Sequence, residues 1–182
     1  MSVSIYIDNN VWDLLFEKKI DLSVELPRED FCLCLTREAE FEIPPIPDEK
    51  AELKKFIYDT IEKCSIETRP YFGFLDERHP ISEQRVAGFD KGFLADIAET
   101  QFMEQQKTRL SEHKKKSTKL YKNEADISVA ARSFGAVVIT LDKKNGPIND
   151  AYKQGGAIVY LHEFIESGLI LKDFIKSKIQ PS

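Results

Sequence analysis

Cysteine is scarce in this chain, and its distribution argues against both disulfides and zinc. The 182 residues include three cysteines, Cys32, Cys34 and Cys64. An odd number without a C-x-x-C pair gives neither a disulfide framework nor a zinc-binding spacing. Cys32 and Cys34 alternate within an apolar run, so we interpret them as reduced residues on one face of a strand.

Long apolar runs and an excess of positive charge are also missing. No stretch approaches the length of a membrane span, and the N-terminus lacks a basic region followed by an apolar leader. We therefore expect a cytoplasmic protein with no membrane partner. The 26 Lys and Arg residues face 31 Asp and Glu residues, for a net charge of -5. This balance argues against a protein that coats nucleic acid by charge alone, but it allows an enzyme with a local basic patch.

The signatures of several common enzyme classes are absent. Neither G-x-G-x-x-G nor G-x-x-x-x-G-K occurs, so no glycine-rich loop is predicted to cradle a dinucleotide or a triphosphate. The three histidines, His79, His113 and His162, show no metal-ligand spacing and no arrangement of nucleophile and base. We assign none of them a role.

Strand-like runs do alternate with helical patterns along the chain. Residues 3–7, 31–35, 137–141 and 157–161 are mainly apolar, as in strands covered on both faces, and all but 31–35 are rich in β-branched side chains. Apolar residues at helical spacing separate them, which predicts an α/β fold around a mostly parallel sheet. The length fits a single domain over residues 1–182. Helix-forming residues dominate 82–120, and we expect a helical insertion at about 66–120.

Four carboxylates are predicted to meet at one edge of that sheet. Asp8 ends the first strand, Asp142 ends the strand at 137–141, and Asp126 opens the helix that leads into that strand. The carboxyl ends of parallel strands and the starts of the following helices lie on the same side of the sheet, where ligands bind. A glutamate from the helix after the second strand completes the set, with Glu42 preferred and Glu38 and Glu40 as alternatives.

Each of these acids also has an ordinary structural interpretation. Asp8 and the two asparagines after it could form a turn and a helix cap, and Asp142 could be a turn residue at the end of a strand. Asp126 could be an acid in the first turn of a helix, where the helix dipole stabilises negative charge. The functional interpretation therefore depends on their conjunction. Two like charges about 4 Å apart repel by roughly 4 kcal/mol at an effective dielectric of about 20. A hard cation such as Mg²⁺ or Mn²⁺, which prefers oxygen ligands, would remove this cost, and one or two such ions could serve phosphodiester hydrolysis.

The pattern resembles the PIN domain, a family of small Rossmann-like nucleases. Residues 5–11 (IYIDNNV) resemble the family's first strand followed by Asp-x-Asn and an apolar residue. Residues 36–43 (TREAEFEI) resemble its Thr followed six residues later by Glu. Residues 124–142 (EADISVAARSFGAVVITLD) resemble its Asp, Ala-rich helix, glycine, strand and Thr-x-Asp. The resemblance covers roughly residues 1–45 and 120–165.

The resemblance implies a fold, an activity and roles for particular residues. The fold would be a three-layer α/β/α sandwich, and the activity Mg²⁺- or Mn²⁺-dependent endoribonuclease action. Many small relatives are toxins of toxin–antitoxin pairs, so an antitoxin or other protein partner and a homodimer are implied partners. Asp8, Glu42, Asp126 and Asp142 would bind metal. The supporting residues would be Asn10, Thr140 and Asn145, the last because Lys143 and Lys144 stand where the family often has a further acid.

A basic stretch precedes the helix that carries Asp126. It supplies a local excess of positive charge, which is what phosphate contacts require. Tyr121 could stack on an unpaired base of an RNA or DNA substrate. The alternative is a solvated helix or loop without a ligand. The candidate nucleic-acid-binding residues are Lys114, Lys115, Lys116, Lys119, Tyr121 and Lys122.

Two other classes compete with a nuclease. One is a PIN-like module with an incomplete metal site that binds nucleic acid or protein, for which Lys143 and Lys144 argue. The other is a phosphotransfer domain with strand-end aspartates. The dehalogenase type needs a second Asp where this chain has Asn10, and the receiver type needs a phosphoacceptor after a central strand, for which the chain offers no good candidate.

Overall fold

The predicted α/β fold is confirmed by a computed structural model, which describes residues 2–75, 77 and 79–179. Five parallel strands form the central sheet in the order β3-β2-β1-β6-β7. A separate pair of short parallel strands, β4 and β5, lies in the insertion. The strands are β1 (Val3–Ile7), β2 (Phe31–Leu35), β3 (Glu67–Thr68), β4 (Tyr71–Phe72), β5 (Val86–Ala87), β6 (Val137–Thr140) and β7 (Ile158–Tyr160).

The order of the strands places a crevice beside β1. The chain moves outward from β1 to β2 and β3 on one side, then returns to pair β6 with β1 on the other. Ile5 is therefore in register with both Leu33 and Val137. In open parallel sheets, ligands bind outside the carboxyl ends of the strands where the strand order reverses. That position lies directly after Ile7.

Helices cover both faces of the sheet, which gives a three-layer Rossmann-like sandwich. Ile5 and Ile7 pack into one apolar core, and Tyr6 between them packs into the other, as the two-residue period of a strand requires. Within the described ranges, every helix is too short or too polar to cross a bilayer. The α-helices are α1 (Val11–Glu17), α2 (Leu22–Glu25), α3 (Arg37–Phe41), α4 (Ala51–Cys64), α5 (Ile97–Gln106), α6 (Glu124–Arg132), α7 (Pro147–Lys153), α8 (Phe164–Ser167) and α9 (Leu171–Ile179).

Local signals explain where several of these helices begin and end. The Thr36 hydroxyl accepts a hydrogen bond from the Ala39 backbone N–H (3.1 Å) and so caps α3. Gly168 separates α8 from α9 with a φ of 66°, a conformation that glycine adopts without strain. The short elements α2, α7 and β3 were not predicted, because a few residues carry too little periodicity to be recognised.

The insertion is only partly helical, which corrects the prediction for residues 82–120. Among the described residues of that range, α5 is the single α-helix, and a short 3-10 helix (Lys107–Arg109) follows it. Residues 110–122 form a loop in which Lys114 and Tyr121 pair as an isolated bridge. Helix-forming side chains dominate this segment, but tertiary contacts decided its conformation. Positions 76 and 78 of the predicted insertion lie outside the described residues.

Ion pairs and hydrogen bonds fix the insertion against α3 and α6. The Arg85 guanidinium pairs with the Glu124 carboxylate (2.9 Å) at the start of α6, and both side chains are largely buried. Arg37 at the start of α3 donates through Nε to the Gln84 carbonyl oxygen (3.2 Å). The insertion is therefore anchored on the two helices whose ends carry predicted site residues.

Candidate active site

Asp8 lies at the carboxyl end of β1, in the crevice that the strand order creates. Its side chain is 8% exposed. The Thr140 hydroxyl and the Asn10 amide both donate to Oδ2 of Asp8, each at 2.6 Å. Among the described residues no hydrogen bond reaches Oδ1. One oxygen of Asp8 is thus held by the protein, while the other is left for a ligand.

Asn10 and Thr140 link the ends of β1 and β6 around Asp8. Asn10 accepts a hydrogen bond from the Leu141 backbone N–H (2.8 Å), and Thr140 accepts one from the Asp142 backbone N–H (2.9 Å). Asn10 directly precedes α1, but its side chain makes no capping hydrogen bond to the backbone of that helix. The alternative interpretation of Asn10 as a side-chain helix cap is therefore wrong. The amide of Asn10 instead donates to Asp8 and orients it, which is the position expected of the supporting residue.

Asp126 and Asp142 stand on the β6 side of the crevice. Asp126 lies in the first turn of α6 and is half-buried. Its pKa is raised, first by burial and then by the negative charges of Glu42 and Asp142. Asp142 accepts a hydrogen bond from the Lys144 backbone N–H (2.8 Å), which turns the chain after β6. The two aspartates are therefore close enough to influence each other electrostatically.

Glu42 is the glutamate that faces this group. It follows the last residue of α3, and its Oε2 accepts a hydrogen bond from the Asn9 amide (3.0 Å). The same amide donates to the Ala39 carbonyl oxygen (2.8 Å), and the Trp12 indole N–H donates to Oδ1 of Asn9 (3.1 Å). Asn9 is a positioning residue that the sequence did not reveal, because turn asparagines are common and only the fold brings α3 beside it.

The other two candidate glutamates are directed elsewhere. Glu38 is buried and accepts a hydrogen bond from the Ser128 hydroxyl (2.5 Å). Glu40 is partly exposed and pairs with Arg37 (2.5 Å). Neither contributes to the pKa of Asp8 or Asp126, whereas Glu42 raises both. Of the three glutamates, Glu42 alone contributes its charge to the group.

We expect Glu38→Gln to make the stability of the protein less dependent on pH. Burial raises the pKa of Glu38, with nearby Glu124 adding to the effect. For an acid whose pKa is raised by folding, the favourable contribution is complete below the ordinary carboxyl pKa and is lost as pH rises through the raised value. Urea unfolding at pH 5 and pH 8 should show a smaller loss of stability for Glu38→Gln than for wild type. Glu40→Gln is the control, and identical profiles for Glu38→Gln and wild type would contradict the assignment.

The four carboxylates form one electrostatically coupled group. Burial, followed by the charges of Asp126 and Glu42, raises the pKa of Asp8 to about 6, although the hydrogen bonds from Thr140 and Asn10 oppose the rise. The mutual repulsion of the acids is the kind that a bound cation relieves. Carboxylate oxygens are the donors that Mg²⁺ and Mn²⁺ prefer, so the donor chemistry fits these ions.

The four carboxylates, as the structure places them, are not a finished ligand cage. In the ranges 2–75 and 79–179, no three His, Cys, Asp or Glu side chains are grouped tightly enough to hold one ion as they stand. Glu42 directly follows α3 and Asp142 lies in the turn after β6, whereas Asp8 is buried and held by two hydrogen bonds.

The predicted nucleic-acid-binding residues lie at different distances from this group. Lys122 lines a cavity with Asp126 and Asp142, and the charge of Lys115 lowers the pKa of Asp126. The Nζ atom of Lys114 instead lies 2.9 Å from Nε2 of His79. The same ammonium group lies over the ring of Tyr121 and covers one face of it. Lys116 and Lys119 are exposed. Asn145, the supporting residue predicted after Asp142, is exposed and lines the same cavity as Lys122.

Comparisons of the chain with protein-family models, with curated proteins and with solved structures found no match. The functional assignment therefore depends on the residues and geometry of the site.

Proposed function

We propose that the protein is a metal-dependent nuclease that hydrolyses phosphodiester bonds, acting as an endoribonuclease. The observation that supports this most is the convergence of Asp8, Glu42, Asp126 and Asp142, from four segments of the chain, at the switch point of a parallel sheet. Four acids in one crevice are unfavourable for stability unless they serve a cation. The preference for RNA, an antitoxin or other protein partner and a homodimer follow from the PIN resemblance alone.

The four carboxylates would hold one or two Mg²⁺ or Mn²⁺ ions. When bound, such ions lower the pKa of a water and stabilise the leaving oxygen of a phosphodiester. The protein's own contribution is to fix the ligands: Thr140 and Asn10 hold one oxygen of Asp8, and Asn9 holds one oxygen of Glu42. Hydrogen-bonding partners of this kind orient ligands and tune their basicity.

The test is cleavage of end-labelled single-stranded RNA, and of DNA of the same sequence, with Mn²⁺, Mg²⁺ or EDTA. Wild type should cut RNA only with a divalent ion. Glu42→Gln should lower the rate at least about tenfold, since it removes a ligand. Glu40→Gln is the matched control, because it makes the same chemical change on the same helix but away from the crevice.

Two results would overturn the proposed function. Cleavage that persists in EDTA would show that the reaction needs no metal ion. Equal cleavage rates for Glu42→Gln and Glu40→Gln would show that the carboxylate of Glu42 has no part in the reaction. Faster cleavage of DNA than of RNA would support the nuclease activity but would make DNA the preferred substrate.

The second candidate is a PIN-like module that binds nucleic acid or protein without catalysis. One observation favours this candidate: among the described residues, no three possible metal ligands are grouped closely enough to hold an ion. Thermal unfolding with and without Mn²⁺ separates the two. A ligand at 100 times its Kd stabilises a protein by about 2.7 kcal/mol, whereas a module without a metal site would gain nothing.

A further inference from the structure

A cavity of about 370 Å³ opens beside the carboxylates, and its walls carry both signs of charge. Asp126 and Asp142 line it, together with Arg109, Lys122 and Lys144. Three cations and two carboxylates thus line one small cavity of a chain whose net charge is -5. Cations gathered locally can contact a phosphate even in an acidic protein.

Three separate segments place these cations, and each segment is fixed by hydrogen bonds. The Arg109 guanidinium pairs with Asp150 (2.5 Å), and its carbonyl oxygen accepts a hydrogen bond from the Asn123 amide (2.9 Å). The Lys122 backbone N–H donates to the Ser111 hydroxyl (2.9 Å). The Lys144 backbone N–H donates to Asp142. The positions of the cations therefore depend on the fold and not on mobile side chains alone.

The ammonium groups of Lys122 and Lys144 are uncommitted within the described part of the chain. Neither makes an ion pair there, although two carboxylates share their cavity. The adjacent Lys143 differs, because it lies 3.6 Å from Glu163 and over the ring of Tyr160. Neighbouring lysines on the same segment thus have different surroundings, and of the two it is Lys144 that lines the cavity.

We propose that Lys122 and Lys144, supported by Arg109, bind a backbone phosphate of the nucleic-acid substrate next to the scissile one. This inference rests on the proposed nuclease function and adds the substrate-binding part of the same site. The scissile phosphate lies at the carboxylates, and the neighbouring phosphate takes the two free ammonium groups. By sequence alone, Lys144 argues for an incomplete metal site, because it stands where the PIN family often has a further acid. In this arrangement Lys144 instead binds substrate.

A rival explanation is that the lysines only neutralise Asp126 and Asp142. In that case Lys144→Ala would change the Mn²⁺ concentration needed to stabilise the protein and leave RNA affinity unchanged. A phosphate contact has a different signature: weaker RNA binding and a smaller dependence of that binding on salt.

The experiment measures binding of fluorescein-labelled single-stranded RNA by anisotropy, with Mg²⁺, at several NaCl concentrations. It uses the Asp8→Asn background so that the RNA stays intact. Lys144→Ala should weaken binding about tenfold at low salt, the lower end for a hydrogen bond to a charged group. The slope of log Kd against log salt should fall by about 0.7, the value for one phosphate on a single strand. Lys144→Arg should retain most of the affinity.

Lys143→Ala is the matched control, and it should stay within about twofold of the background, as expected for a surface change. Equal weakening by Lys143→Ala and Lys144→Ala would indicate general attraction and overturn the inference, as would a change in Mn²⁺ midpoint without a change in RNA affinity. Absence of RNA binding in the background protein would overturn it too. A wild type that binds RNA through Lys144 but does not cut it would contradict the nuclease function and leave the phosphate contact supported.

Discussion

Asp8→Asn is expected to abolish cleavage and, at the same time, to stabilise the metal-free protein. Asp8 is 8% exposed, and burial with the charges of Asp126 and Glu42 raises its pKa from 3.8 to about 6. This difference corresponds to about 3 kcal/mol against the charged form at neutral pH. Asparagine keeps the shape and removes the charge, so the free energy of unfolding in EDTA should rise by up to that amount.

The loss of activity should be large, because the same charge would hold the metal. Removing one preorganised electrostatic group costs on the order of 100- to 1000-fold in kcat, and we expect Asp8→Asn to cost at least about 100-fold. The stabilisation by Mn²⁺ seen with wild type should also shrink. Loss of activity with unchanged metal binding would place Asp8 outside the metal site.

The pH dependence follows from the direction of the shift. Because folding raises the pKa of Asp8, its favourable contribution is complete below pH 3.8 and is lost as pH rises through about 6. Urea unfolding of metal-free wild type should therefore show a decline in stability between pH 4 and pH 7 from this residue, which Asp8→Asn should lack. Equal stability of the two proteins at pH 7 in EDTA would show that Asp8 is not strained by its neighbours.

Thr140→Val is expected to weaken both the fold and the site, although valine has nearly the same shape. The Thr140 side chain is fully buried, donates to Asp8 (2.6 Å) and accepts from the Asp142 N–H (2.9 Å). Valine would leave a carboxylate oxygen and a backbone N–H with fewer partners. Unsatisfied buried groups of this kind cost about 1–3 kcal/mol.

The effect on activity should follow from the orientation of Asp8. Partners of metal ligands typically contribute about 10- to 100-fold in metal affinity or activity, and we expect a loss in that range for Thr140→Val. The hydrogen bond from Thr140 lowers the pKa of Asp8, so its removal should raise that pKa further. Thr140→Ser keeps the hydroxyl and is the control. If Thr140→Ser loses as much activity as Thr140→Val while both remain folded, keeping the hydroxyl would not preserve activity, and the hydrogen bonds of Thr140 would not explain the loss.

The sequence predicts the position of three acids well, because element boundaries place them. Asp8 and Asp142 end apolar runs, and Asp126 starts an amphipathic helix; in a parallel sheet, strand ends and helix starts meet at one edge. The fold class follows from the same alternation of strands and helices. These features are local and periodic, so they can be read without knowing any long-range contact.

The sequence does not separate Glu38, Glu40 and Glu42 as clearly as it places the three aspartates. All three lie within or just after one short helix, and a rotation of that helix by one residue changes which of them faces the crevice. The spacing from Thr36 favours Glu42, but only the packing of α3 against α6 directs Glu38 to Ser128 and leaves Glu42 beside Asn9. The roles of Asn9 and Trp12 depend on the same packing.

The order of apolar and polar residues along the chain by itself determined that this is an α/β protein, and it placed Asp8, Asp126 and Asp142 at the carboxyl edge of the sheet. Tertiary structure alone decided the conformation of the insertion, where helix-forming side chains became loop between α5 and α6. It also decided that Lys144 lines the cavity beside Asp126 and Asp142, while Lys143 lies 3.6 Å from Glu163. The physical reason is the same in each case: periodicity fixes which face of an element is apolar, but contacts between distant segments fix where each polar side chain points.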